Sequence, residues 1–123
     1  VSELYERVTR SLDEVPGVLA ATAHSSHSYR SGTNLYFTFA VRPEDPAEME
    51  GAYRECWRRT MHETVALGGG IAHHHGIGRV RRAHLVDEVG ASGVALLQAL
   101  KAALDPDGLL NPGVLLPGES GDG

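Results

Sequence analysis

A chain of 123 residues holds one domain or a piece of a larger one. At that size folding buries only about two-thirds of the surface, so a missing neighbour would be felt. The formal charge of −5 excludes the broad basic face of a nucleic-acid partner, and leaves room only for a local anion site around residues 79–82. A lone Cys56 closes no internal disulfide and fits a reducing, cytoplasmic compartment, while no apolar run approaches the length that crosses a bilayer.

Leu4, Val8, Leu12 and Val15 recur at helical spacing with Glu3, Glu6, Arg7 and Asp13 facing out, which predicts an opening helix stopped by Pro16-Gly17. Residues 18 to about 27 are β-capable, and alternation sets His24 and His27 on opposite faces. A lone strand histidine is more often structural than a ligand, and only His27 is kept as a site candidate. Residues 28–33 read as a turn between antiparallel strands. In residues 34–41, Leu35, Phe37, Phe39 and Val41 alternate with Tyr36, Thr38 and Ala40, so the bulky set packs on one side and Tyr36 faces away.

Asp45, Pro46 and Glu48 have the spacing of a helix start, and the helix should run to about Leu67. Met49, Ala52, Tyr53, Cys56, Thr60 and Leu67 form its stripe, broadened by Trp57 and Met61, and Gly68-Gly69-Gly70 ends it. Cys56 on this stripe reads as buried and inert. Residues 80–88 read as a short helix. A second begins near Ser92, with Val94, Leu97, Leu100 and Leu104 at helical spacing and Asp105-Pro106-Asp107-Gly108 as its break. Residues 109–117 form an ordered terminal loop and residues 118–123 a frayed tail.

Between the two halves lies Ile71-Ala72-His73-His74-His75-Gly76-Ile77-Gly78-Arg79-Val80-Arg81-Arg82. Read as an extended segment, alternation puts His73 and His75 on one face and His74 on the other. A histidine-rich surface loop and a structural metal cluster are the alternatives to a catalytic site.

The run His73-His74-His75-Gly76-Ile77-Gly78, followed by Leu104-Asp105-Pro106-Asp107-Gly108-Leu109-Leu110-Asn111-Pro112-Gly113, resembles the C-terminal domain of FAD-linked oxidases of the vanillyl-alcohol-oxidase type. Within that superfamily the triple histidine, with Ser26-His27-Ser28-Tyr29 and Asn34-Leu35-Tyr36-Phe37-Thr38-Phe39, is most similar to the alkyldihydroxyacetonephosphate synthases. The resemblance implies noncovalent FAD and exchange of the acyl group of acyl-dihydroxyacetone phosphate for a fatty alcohol, with no net redox change. It assigns Tyr36, His73, His74 and His75 to catalysis: Tyr36 and His75 to proton transfer, His73 and His74 to orienting the substrate or the other histidines. It sets Arg79, Arg81, Arg82 and His27 toward the substrate and Gly76, Gly78 and Asn111 toward the cofactor. Tyr36 is then expected to share a cavity with at least one of His73 and His75.

Related 2-hydroxyacid dehydrogenases carry a histidine, at times a metal ligand, where this chain has Tyr36, so the resemblance assigns no residue to a metal. A flavin-dependent 2-hydroxyacid or alcohol oxidoreductase is the alternative enzyme class, and a histidine-rich zinc-binding module the alternative outside enzymes.

The expected architecture is α+β: a ferredoxin-like cap domain over residues 1–117 in the order helix, strand, strand, helix, strand, then two helices. Its antiparallel sheet should lack a first strand, with dimerisation, strand exchange or a remodelled terminus expected at the open edge. The expected partner is an upstream FAD-binding domain, without which the fragment should be inactive and hold no FAD. The full-length enzyme is expected in the cytoplasm or at a membrane surface.

Overall fold

The computed structural model describes residues 1–116, so residue 117 and the tail expected over residues 118–123 lie outside the described residues. Contacts divide the chain into two compact units, Val1–Gly69 and Gly70–Gly123. The class is α+β with antiparallel pairing and C-terminal helices, as the pattern of elements implies.

The first unit opens on α1 (Ser2–Asp13), whose stripe buries Val8 and Leu12 completely. Both join Val15 and Cys56 in one cluster, packed round by Leu4, Val18, Phe37, Phe39 and Val41. Each such aliphatic side chain contributes about 1.5–3 kcal/mol by leaving water. Two strands carry the sheet side of this core, β1 (Val18–His24) and, after the two-residue strands β2 (Ser28–Tyr29) and β3 (Gly32–Thr33), β4 (Tyr36–Val41). β1 pairs antiparallel with β4 and β2 with β3, giving two separate two-stranded sheets. The expected turn over residues 28–33 is thus a small hairpin of its own.

A 3₁₀ turn over Pro46–Glu48 leads into α2 (Met49–Ala66), with Asp45 capping it by accepting from the Ala47 amide at 2.8 Å. α2 buries Cys56, Thr60, Met61 and Thr64. The two threonine hydroxyls donate to the carbonyls of Cys56 and Thr60 one turn back, which satisfies them inside the core. Burial pushes the Cys56 thiol up, away from the reactive thiolate. Met49 and Tyr53, expected on the buried stripe, are instead 43% and 44% exposed. They line an open groove with Phe39, Val41, Pro46 and Ala47.

Ion pairs fasten α2 to α1: Arg7 donates to Glu63 at 2.7 Å, and Arg59 reaches both the Ser11 carbonyl and Glu14. Hydrogen bonds from Arg58 and then Arg59 hold the Glu55 carboxyl at about 2.

The turn after α1 depends on Gly17. Its φ is +85°, and a Cβ there would sit 2.7 Å from the backbone of Pro43. The Arg42 amide donates to the Gly17 carbonyl at 2.7 Å, so the two chain segments are drawn close at this point. Gly17→Ala is therefore expected to destabilise this unit by roughly 1–3 kcal/mol, through the left-handed backbone and the forced separation from Pro43. Urea unfolding followed by tryptophan fluorescence checks it; an unchanged midpoint would show that the turn relaxes freely.

In the second unit the strand expected through the histidine segment does not form. Residues 72–77 run as bends and irregular chain, followed by α3 (Gly78–Arg81), a 3₁₀ turn over Arg82–His84 and α4 (Leu85–Leu104). The expected division into a short helix and a longer one is visible inside α4 as a break at Gly90, with φ 72° and ψ 168°. Leu85, Val94 and Leu116 make the core of this unit, with Ile77 and Leu97 against it. Leu100 and Leu104, although in helical register with Val94 and Leu97, lie exposed. No helix among the described residues is long and apolar enough to cross a membrane.

Candidate functional site

Tyr36 opens β4 and is paired in register with His24, the last residue of β1. Its neighbours Phe37 and Phe39 pack on the first unit's core, which leaves Tyr36, one residue out of phase with both, for the opposite face. There the Tyr36 and His24 rings stack with centroids 5.1 Å apart and planes within 4°. Sequence reasoning set His24 aside in favour of His27. What it lacked was the register: once β1 and β4 pair antiparallel, the residue opposite Tyr36 is fixed.

His27 sits at the base of the small hairpin, held through its backbone. Its amide donates to the Asn34 side chain at 2.8 Å, and its carbonyl accepts from the Asn34 amide and from the Thr33 hydroxyl. The ring's Nδ1 lies 2.8 Å from the Ser26 hydroxyl, and the ring stacks at 6.4 Å on Tyr29. These contacts fix an exposed imidazole in place, a suitable arrangement for a side chain that addresses a ligand.

In the second unit His73, His74 and His75 are all exposed. The Nδ1 atoms of His73 and His74 lie 2.7 Å apart, and the His74 and His75 rings meet edge to face at 4.4 Å. Neighbouring histidines thus face each other, which corrects the expectation of alternate faces. Residues 73–75 run as bends and not as a pleated strand, so the alternation of period two does not apply to them.

The three arginines that follow reach backbone carbonyls. Arg81 donates to Gly76 at 2.9 Å, Arg82 to Gly113, and Arg79 to Pro112 at 3.5 Å. They fasten the histidine loop and the terminal Asn111-Pro112-Gly113 turn to the helix start. Asn111 itself is exposed in left-handed conformation, φ 46°, where asparagine is better tolerated than most side chains.

Asp105 shapes the chain leading to that turn. Its carboxylate is paired with Lys101 and accepts the amides of Leu109 at 2.8 Å and Leu110 at 2.9 Å. The Lys101 hydrogen bond first, then the Leu110 and Leu109 amides, hold its carboxyl below the ordinary aspartate range, against the opposing effect of burial. Because the folded value is depressed, its contribution to stability is present above the unfolded aspartate value and is lost as pH falls through the folded one. The Leu109 and Leu110 amide resonances are expected to shift and lose protection only below the usual aspartate range; titration at or above that range would contradict the network.

Residues 1–115 match the family of FAD linked oxidases, C-terminal domain. The chain is 36% identical to the uncharacterized FAD-linked oxidoreductase YgcU of Escherichia coli K12, over 95% of its own length and 25% of that protein's. It is 33% identical to the alkyldihydroxyacetonephosphate synthase of Caenorhabditis elegans, over 86% and 18%, and 31% identical to the glycolate oxidase subunit GlcD of Escherichia coli K12, over 84% and 22%. It therefore spans about a quarter or less of the length of these relatives. With the family match running from Val1 to Leu115, the chain belongs to the FAD-linked oxidase C-terminal domain family.

Proposed function

We propose that the chain is the substrate-side part of an alkyldihydroxyacetonephosphate synthase-like flavoenzyme, which exchanges the acyl group of acyl-dihydroxyacetone phosphate for a fatty alcohol. The observation that carries this reading is Tyr36 stacked on His24 at the end of a strand, in a chain that also presents three adjacent histidines on an open loop. The exchange needs a proton taken from substrate carbon and a proton given to the departing carboxylate. Tyr36 and His75 are assigned these transfers, and His73 and His74 the orientation of the substrate or of His75. His24 joins them as a positioning residue that limits rotation of the Tyr36 ring. Arg79, Arg81 and Arg82 supply positive charge for the phosphate, with His27 as a further substrate contact.

Two of the three residues assigned to the cofactor, Gly76 and Gly78, leave room for a flat ring, with Asn111 as the third. A Cβ at Gly76 or Gly78 would meet nothing within 4 Å, so the backbone there is open to close approach. FAD, when bound, supplies an electron-accepting ring at the substrate carbon. It is expected to be held mainly by an upstream FAD-binding domain, the partner of this chain, with the whole enzyme in the cytoplasm or at a membrane surface.

A second reading, oxidation of a 2-hydroxyacid or alcohol, is favoured by the 36% and 31% identities to proteins named as an oxidoreductase and an oxidase subunit. Product analysis of the full-length protein decides between them. Supplied with acyl-dihydroxyacetone phosphate and a long-chain alcohol, it is expected to release free fatty acid and form the alkyl ether. Reduction of an artificial acceptor by a hydroxyacid, with no ether formed, would overturn the synthase reading in favour of the second.

A further inference from the structure

We propose that His73 and His74 form a two-nitrogen chelate for a transition-metal ion of tetragonal preference, copper(II) or nickel(II). The inference is independent of the flavin reading, because it rests on the geometry of one exposed loop. The two Nδ1 atoms face each other at 2.7 Å, with the ring planes at 88°. Without a metal this approach is a hydrogen bond, one imidazole donating its Nδ1 proton to the lone pair of the other. With metal–nitrogen bonds of about 2.0–2.1 Å, the same separation subtends roughly 80° at the ion. That is close to the right angle of a tetragonal site and well short of the tetrahedral angle, which would need the nitrogens about 3.3 Å apart.

The donor chemistry agrees with the geometry. Imidazole nitrogen suits copper(II) and nickel(II), and nickel and copper stand high in the divalent affinity order. Uptake requires each ring to carry its proton on Nε2, so the proton now shared between the Nδ1 atoms moves to Nε2 or is released. His75 packs edge to face on His74 at 4.4 Å and so helps fix the orientation of one ligand ring. All three histidines are exposed, which gives the ion access.

The test uses copper(II) as the probe and the 123-residue chain. Calorimetry is expected to show one tight equivalent, and electron paramagnetic resonance an axial signal split by two nitrogens. His73→Gln and His74→Gln should each weaken binding by roughly tenfold or more, because removing one donor removes the chelate. His75→Gln should weaken it by less than about threefold, and His62→Gln, an exposed histidine on α2, should leave it unchanged. Equal losses from all three loop histidines would point to diffuse binding and overturn the chelate. So would wild-type affinity in the His73→Gln/His74→Gln double variant. In the unaltered chain, paramagnetic broadening should centre on the His73 and His74 rings; broadening centred on any other histidine would likewise sink the proposal.

Discussion

Replacing Tyr36 by phenylalanine in the full-length flavoenzyme is expected to lower turnover by roughly 10²- to 10⁴-fold while the FAD content stays near that of the unaltered enzyme. Such a loss corresponds to about 3–5 kcal/mol of transition-state stabilisation, the range of one positioned proton-transfer group. The substitution removes a single hydroxyl. The ring remains to stack on His24 at the end of the β1–β4 pair, and the strand keeps its backbone pairing. Phenylalanine also suits a pleated surface as well as tyrosine does, so folding should be unaffected. Turnover and flavin absorbance measured on the same preparation separate the outcomes. Flavin lost in proportion to activity would move Tyr36 from catalysis to cofactor retention. His24→Ala is the companion variant: a positioning role predicts a smaller loss in turnover, restored in part by phenylalanine at 24, which keeps a flat ring against Tyr36.

The elements legible in the chain are those whose burial follows from a local period. Val8 and Leu12 recur every four residues and are fully buried; Phe37 and Phe39 alternate and reach the same core. The period of two fails in the histidine segment because residues 73–75 run as bends and not as a strand. The composition of the loop singles it out, but which histidine rings meet follows from the irregular backbone of residues 73–75, which composition does not specify. His24 and the backbone partners of the arginines were not legible for another reason. A cross-strand partner depends on register, and an arginine bonded to Gly76 or Gly113 depends on tertiary placement, neither of which a side-chain pattern encodes. Leu100 and Leu104 carry the converse lesson: helical spacing identifies an apolar stripe and says nothing of what covers it.

Leu12→Ala is expected to destabilise the first unit by about 2–5 kcal/mol, the loss of buried methyl groups together with the cavity they leave. Leu12 is completely buried in a cluster with Val8, Val15 and Cys56, and Phe37 and Phe39 of β4 pack against that cluster. Few residues are available to refill that space, because the sheet behind them has only two strands. A two-stranded sheet is marginal without a helix to cover it, so α1 and the β1–β4 pair hold each other through this cluster. A unit of this size has a total stability on the order of 3–10 kcal/mol, and the substitution removes a large share of it. Trp57, the single tryptophan, lies in the same unit with its ring 6.5 Å from Phe39 and 6.3 Å from Tyr53, so its fluorescence reports this core directly. Leu19→Ala is the control, since Leu19 is 62% exposed beside the irregularity in β1 and should cost less than about 1 kcal/mol. Urea midpoints that fall equally for the two variants, or a Leu12→Ala loss below about 1 kcal/mol, would mean that the cluster around Leu12 is not what stabilises the sheet carrying Tyr36.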